Sequence, residues 1–292
     1  MFKSFAIISL VTTAALAQSS SVVPSGISQG CSTFLNNLNT DKGLTTCLSA
    51  LAAATADYRP GSDATKSPST AKIGSTLGNL CSSSVTTNCP DGLIRGNITN
   101  FYSACSAELT SNPNTDVISI YDILYTISPL KTAACSKDDS GNYCVTQAKL
   151  PASGQTAAEV QQVLAGPSLA PNTTAFRTYN IPFFFLQSSL PSSELCNVCT
   201  RNIMTAYMNF EAKVPYAPGL GKSILLANQP ELYQGIQSTC GSTFLSGAGV
   251  QAAGGLSGGT LSSGAVQNIV GAGQSFIAVG MGAIALIASS VF

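Results

Sequence analysis

Apolar residues recur along the chain mostly at helical spacing. Leu44, Cys47, Leu48 and Leu51 stand at i, i+3, i+4 and i+7 behind a Thr40-Asp41 start, which predicts a helix that turns Cys47 toward the core. Val117, Ile120, Tyr121, Leu124 and Tyr125 repeat the pattern and predict a second helix ending at Pro129. A third is predicted from Leu195 through Cys199, Ile203 and Tyr207 to Phe210. A fourth is predicted to start near Pro230, carry Leu232, Tyr233, Ile236 and Cys240, and stop at Gly241. Thr156-Ala157-Ala158-Glu159 is a capping box ahead of Val160, Val163 and Leu164, with Gly166-Pro167 closing a short helix. Cysteines lie on the apolar stripes of three of these helices, so disulfides are expected to cross-link helix faces.

Two stretches interrupt the pattern. Residues 58–72, rich in Pro, Ser, Thr and charge, predict an exposed loop, and residues 167–177 predict a second. The second loop leaves seven cysteines before it and three after it, so full pairing within the chain requires a bridge across it and favours one disulfide-bound unit. Ile181-Pro182-Phe183-Phe184-Phe185-Leu186 is the most apolar run between the termini and is expected as a buried strand or extended core segment rather than an exposed binding strip. Strand alternation would send Phe183 and Phe185 one way and Phe184 the other.

The two ends have a different character. Residues 1–17 carry one charge, Lys3, then an apolar run, then Ala15-Leu16-Ala17, the small-x-small pattern at which a signal peptide is cut. No charged residue follows Glu231. Residues 246–265 are dominated by Gly, Ser and Ala and predict a disordered stalk, and residues 266–292 run through a spacer into an apolar tail from Phe276 to Phe292. Small residues, spacer and terminal apolar tail are the layout of a glycosylphosphatidylinositol (GPI) signal, with attachment expected at Ser263 and Ser262 or Gly264 as alternatives. No Lys or Arg follows the tail, as a retained membrane helix would normally require. The organisation expected is a signal peptide over 1–17, a cysteine-rich ectodomain over 18–245, the stalk over 246–265 and a removed propeptide over 266–292.

Composition then narrows the chemistry. Thirteen basic residues balance thirteen acidic ones, leaving no electrostatic footprint for nucleic acid. The ten cysteines, Cys31, Cys47, Cys81, Cys89, Cys105, Cys135, Cys144, Cys196, Cys199 and Cys240, predict five disulfides of an oxidising compartment. Asp138-Asp139-Ser140-Gly141-Asn142 predicts a turn, and a bridge between Cys135 and Cys144 across it. Cys196-x-x-Cys199 has no histidine and no second C-x-x-C to complete a zinc site, so it is expected as two structural half-bridges. Asn97-Ile98-Thr99 and Asn172-Thr173-Thr174 are glycosylation sequons.

The absence of histidine removes the Ser-His, Cys-His and metal-His arrangements. Gly255-Leu256-Ser257-Gly258-Gly259 matches a nucleophile-elbow string but lies in the predicted stalk without a strand, a helix or a base. A carboxylate pair remains open, with Glu108, Asp116, Asp122, Asp138, Asp139, Glu194 and Glu211 as the acids available, though no motif places two of them in a cleft. Tryptophan, the strongest sugar-stacking side chain, is absent.

Cys135-Ser136-Lys137-Asp138-Asp139-Ser140-Gly141-Asn142-Tyr143-Cys144, Leu195-Cys196-Asn197-Val198-Cys199, the 207–211 segment, Val214-Pro215-Tyr216 and Cys240-Gly241-Ser242-Thr243-Phe244, with Gly219-Leu220, Gln229 and Leu232, give the chain a resemblance to a fungal family of secreted, GPI-anchored, cysteine-rich surface proteins of unknown activity. The resemblance implies a fungal surface location and carries over no catalytic residue. The fold class expected is mainly α, a disulfide-stapled helical ectodomain with long loops. The role expected is a structural or interaction protein of the outer membrane face or wall, held by its lipid anchor. A module binding wall polysaccharide or a small ligand, and a carboxylate-based wall enzyme, are the alternatives; no cofactor is expected.

Overall fold

The computed structural model describes residues 23–58, 69–147 and 173–245. In chain order these form α1 (Gln29–Leu38), α2 (Lys42–Ala54), α3 (Thr70–Leu80), α4 (Ser83–Asn88), α5 (Asp91–Ala104), α6 (Thr115–Ala134), α7 (Thr173–Thr178), α8 (Ser192–Leu195), α9 (Val198–Lys213) and α10 (Gln229–Cys240), with no strand among them. A mainly helical fold is therefore what the sequence folds into. Short polar residues set many of the helix starts: Ser28, Asp41, Ser69, Ser82, Asn114 and Asn197 each accept a hydrogen bond from a backbone N–H of the first turn.

Helix α6 is the centre. Its residues from Val117 to Ala134 are buried on nearly every side, including Asp122, Thr126 and Ser128. Helices α5 and α9 pack against it, α1 lies on α5, and α2 gathers α3, α4 and α5. An aromatic chain threads the contacts: Phe34 meets Phe101, Phe101 meets Tyr121 edge-on, and Tyr216 meets both Tyr121 and Tyr125 at centroid distances of 5.4 and 5.1 Å. Such edge-to-face pairs add to the gain from burial alone. The predicted stop at Pro129 is overturned, because α6 continues through it to Ala134. Proline forfeits one backbone hydrogen bond, but Leu130, Ala133 and Ala134 are all buried beyond it, and their burial holds the last turn helical.

The loop expected over 58–72 is shorter at both ends. Tyr58 is fully buried at the end of a 3-10 turn, and α3 begins at Thr70, with Lys72 paired to Asp57 at 3.3 Å. Residues 59–68 lie outside the described residues, as do the capping box at 156–159 and most of the loop expected over 167–177; that loop's end belongs to α7.

All ten cysteines are bridged: Cys31–Cys105, Cys47–Cys89, Cys81–Cys135, Cys144–Cys199 and Cys196–Cys240. The expected Cys135–Cys144 pair is thereby corrected. The turn itself forms as predicted, closed by Cys144 N–H donating to the Ser136 carbonyl at 2.9 Å and by the Lys137–Tyr143 bridge. Cys135, however, caps α6 beside the end of α3, and Cys144 opens a 3-10 turn that faces α9. Backbone hydrogen bonds close this turn without a covalent link, leaving both cysteines for distant partners. The bridges close loops of 42 to 74 residues, each stabilising the fold by about 4 kcal/mol through lost chain entropy in the unfolded state.

Residues 181–186 are core, but not strand. Ile181–Phe183 is a 3-10 turn, and Phe184 and Phe185 then take left-handed backbone angles, with φ of 49° and 66°. All three phenylalanines are buried nevertheless. Asn180 ties this knot: its carbonyl accepts from the N–H groups of Phe183 and Phe185, its Nδ2 donates to the Leu186 carbonyl at 2.7 Å, and its Oδ1 accepts from Asn228 Nδ2. Left-handed angles cost a non-glycine residue about 1–2 kcal/mol, so packing has to offset them. Alternation fails because the chain coils here instead of extending. Phe184→Ala is expected to cost roughly 3–5 kcal/mol, read as the shift in a urea unfolding midpoint, with reduced yield of folded protein. A variant as stable as the parent would show that Phe184 is not part of the packed core.

Candidate functional site

The most concentrated chemistry surrounds Asp122. Its position within the 121–130 stretch of α6, where every residue is buried, keeps the carboxylate from solvent, and Asp122 is fully buried. The chain supplies donors from one stretch 94 to 103 residues further on. Tyr216 Oη donates to Oδ1 in a very short hydrogen bond, while Ser223 Oγ and the N–H groups of Ile224 and Leu225 donate to Oδ2 at 3.0, 2.5 and 3.0 Å. Ser223 Oγ in turn accepts from Leu226 N–H at 2.8 Å. Burial pushes the Asp122 carboxyl up to about 6, although all four donors pull it down. Burial, with the carboxylate beside it, also drives the Tyr216 hydroxyl well above its ordinary value.

This arrangement fastens the 216–226 segment to α6. Asp122 itself is inaccessible, and Tyr216, which binds it, packs edge-on against Tyr121 and Tyr125. Neighbouring hydroxyls are occupied likewise: Tyr125 Oη donates to the Val214 carbonyl and Tyr207 Oη to the Pro182 carbonyl, both at 2.5 Å.

The other carboxylates serve different parts of the fold. Glu108 is buried and accepts from Ser28 N–H at 2.6 Å. Burial pushes Glu108 up, but hydrogen bonds from Ser28 and from its own backbone outweigh it and hold the carboxyl below its ordinary value. It lies beside Cys31 and Cys105, a grouping of metal-ligand type, yet those two sulfurs are bonded to each other and offer no thiolate. Asp138 accepts from Ser140 N–H and from Asn142 within the turn, which lowers it in spite of its desolvation. Glu211 accepts from Gln229 Nε2 at 2.6 Å and is raised by burial against that hydrogen bond. Asp116 and Asp139 are exposed, and Glu194 lies in α8. Among the acids named from the sequence, the structure thus singles out Asp122, and for fastening rather than for a cleft.

Cys196 and Cys199 serve separate bridges, as their spacing without further ligands implied. Asn97 lies on α5, partly exposed, its Nδ2 donating to the Leu93 carbonyl at 3.1 Å, and Thr99 of the same sequon is exposed. Asn172, Ser262, Ser263, Gly264 and residues 1–17 and 246–292 lie outside the described residues. Tyr216 and Ser223 are the functional neighbours that spacing did not reveal. Val214-Pro215-Tyr216 carries the resemblance noted above, but a contact 94 residues long leaves no periodic signal.

Fold and site together define a mainly helical, disulfide-stapled domain organised on a buried carboxylate. The chain belongs to the family of domains of unknown function designated DUF7729, which matches residues 17–249. No curated protein and no solved structure matches it.

Asp122→Ala leaves the donors of Ser223, Ile224 and Leu225 buried without their acceptor and is expected to cost roughly 3–5 kcal/mol. Asp122→Asn is milder, because its Oδ1 can serve the three donors and its amide can face the Tyr216 hydroxyl oxygen. The native carboxyl titrates near 6 and the unfolded one near 3.8. Between these values the native state holds a proton that the unfolded chain lacks, so this group's stabilisation is full below pH 3.8 and is lost as pH rises through 6. Thermal unfolding of the parent across that window should therefore show a downward slope with pH that Asp122→Asn lacks; equal slopes would refute the assignment.

Proposed function

We propose that this protein is a non-enzymatic cell-surface glycoprotein of fungal type, delivered by its signal peptide and tethered by a GPI anchor, with a structural or interaction role at the membrane face or in the wall. The observation that supports it most is the complete pairing of the cysteines between two termini that carry export and lipid-anchor layouts. Five disulfides suit an oxidising exterior, where a protein must also hold its shape without chaperones. The use of Asp122, Glu108 and Glu211 by internal donors favours this role over the carboxylate-enzyme alternative.

A second reading, binding of a neutral wall polysaccharide, is favoured by the low charge and by the partly exposed aromatic rings of Tyr102, Tyr143, Tyr179 and Tyr233. Neutral sugars are held by hydrogen bonds and ring stacking, not by ion pairs. Binding of the purified protein to an array of wall glycans, abolished by Tyr102→Ala, would establish it.

The anchor is tested directly. Phosphatidylinositol-specific phospholipase C is expected to release the protein from membranes of the producing cell, and treatment with an N-glycosidase to lower its apparent mass. Peptides from residues 276–292 recovered from the mature protein would overturn the anchor, and an unchanged mass would remove Asn97 and Asn172 as glycan sites.

A further inference from the structure

Two bridges meet at the start of α9. Cys196 follows α8 and precedes Asn197, the residue that caps α9, while Cys199 lies within the first turn of that helix. Cys196 bonds to Cys240 at the end of α10, and Cys199 bonds to Cys144 in the 3-10 turn below α6. Their accessibility differs: Cys196 and Cys240 are partly exposed, whereas Cys144 and Cys199 are buried. An incoming thiolate can therefore reach the first bridge and not the second. A sulfur released at Cys196 stands three residues from Cys199 and next to the N-terminus of a sixteen-residue helix, where the helix dipole and unpaired N–H groups favour the thiolate.

We propose that Cys196 and Cys199 form a thiol–disulfide exchange pair, so that reducing the outer Cys196–Cys240 bridge rearranges the inner one and releases both α10 and the 144–147 turn. The first thiolate of a dithiol reductant attacks the sulfur of Cys240, and Cys196 leaves as a thiolate. The second thiol of the reductant resolves the mixed disulfide, so the dithiol becomes a disulfide and Cys240 a thiol. Cys196 thiolate then attacks the sulfur of Cys199, and Cys144 departs as a thiolate that takes a proton from water. Two electrons have passed from the dithiol to the protein, one bridge is reduced and one has moved: the product holds Cys196–Cys199 with Cys144 and Cys240 free. The C-x-x-C spacing decides the course, since a thiolate released three residues from a second disulfide exchanges within the chain faster than it meets a second reductant.

The fold contains its own control. Cys81–Cys135 is also partly exposed, but the nearest cysteine in sequence, Cys89, lies beyond the whole of α4 rather than within one helical turn, so reduction of Cys81–Cys135 should yield a simple pair of thiols. After exchange, α10 keeps its contacts through Gln229 to Glu211, through Asn228 to Asn180 and through Glu231 to Ser188, but loses its covalent tether.

The test is a titration of the full protein with dithiothreitol under native conditions, followed by acid quenching, alkylation and peptide mapping. Labelling of Cys144 and Cys240 together, with a peptide crosslinked through Cys196–Cys199, at reductant levels that leave Cys31–Cys105 and Cys47–Cys89 intact, is the result expected. In the Cys196→Ser, Cys240→Ser double variant, opening of Cys144–Cys199 should then need about tenfold more reductant. Labelling of Cys196 and Cys240 with Cys144–Cys199 untouched would overturn the proposal. So would release of the C-terminal bridges only together with the two buried ones, or an unchanged threshold in the double variant. Should that variant fail to fold, the mapping of the parent decides alone.

Discussion

A helix buried on nearly every side must either be wholly apolar in its buried part or find partners for the polar groups it carries there. Helix α6 takes the second course at Asp122 and Thr126. Thr126 returns its hydroxyl to the carbonyl four residues before it, and Asp122 is met by four donors from the 216–226 segment. A buried carboxylate with no partner would be far too costly to keep, and one with four donors holds the segment that supplies them in a single register. The rest of the C-terminal half follows from that register. Tyr216 is set between Tyr121 and Tyr125, Val214 is brought to the Tyr125 hydroxyl, and the chain emerges aimed at the start of α10.

The disulfides divide the molecule elsewhere than loops would suggest. The first six cysteines pair among themselves and so do the last four, so no bridge joins residues 31–135 to residues 144–240. The two sets are united by α6, which ends the first and carries the packing of the second, and by the Asp138 turn, where Lys137 Nζ lies 4.6 Å from the Tyr143 ring and the Lys137 carbonyl accepts from Asn202. Covalent loops restrict the unfolded chain within each set, while noncovalent packing alone fixes one set on the other. The Cys144–Cys199 bridge does span residues 167–177, as odd cysteine counts on either side require.

The knot around Asn180 shows how a strongly apolar segment can be sheltered without pairing as a strand. Its backbone groups bond back onto Asn180 and Ile181, and all three adjacent phenylalanines are buried. Phe183 packs on Tyr207 at a centroid distance of 4.7 Å, and α10 comes so close to the following residues that a Cβ on Gly235 would stand 2.4 Å from Ser188 Cβ. Glycine is required there by proximity, not by backbone angle. Molecular shape at this end therefore depends on one asparagine and one glycine, as well as on Cys196–Cys240.

Helical class, the cap at Asp41, the burial of 181–186 and the need for a bridge over the central loop were all legible in the chain, because each depends on neighbours within a turn or on simple counting; the third helix, expected from Leu195, instead starts at Val198 behind the Asn197 cap, with Leu195 in α8. The same i, i+4, i+7 spacing is present at Cys31, Leu35 and Leu38 and at Ile94, Ile98 and Phe101, where α1 and α5 form amid glycines and polar residues that dilute the pattern. Three features depended on tertiary structure. Cys135 and Cys144 look paired across a short turn, but which sulfurs meet is set by how α3 and α9 approach α6. Pro129 reads as a stop, and burial of the following turn overrides it. Asp122 reads as one polar position on a helix, and only the return of the chain 94 to 103 residues later makes it the fastening point. Local periodicity records what a residue must avoid, namely water or an apolar neighbour; the identity of its partner is settled by the packing of distant segments, which no spacing along the chain encodes.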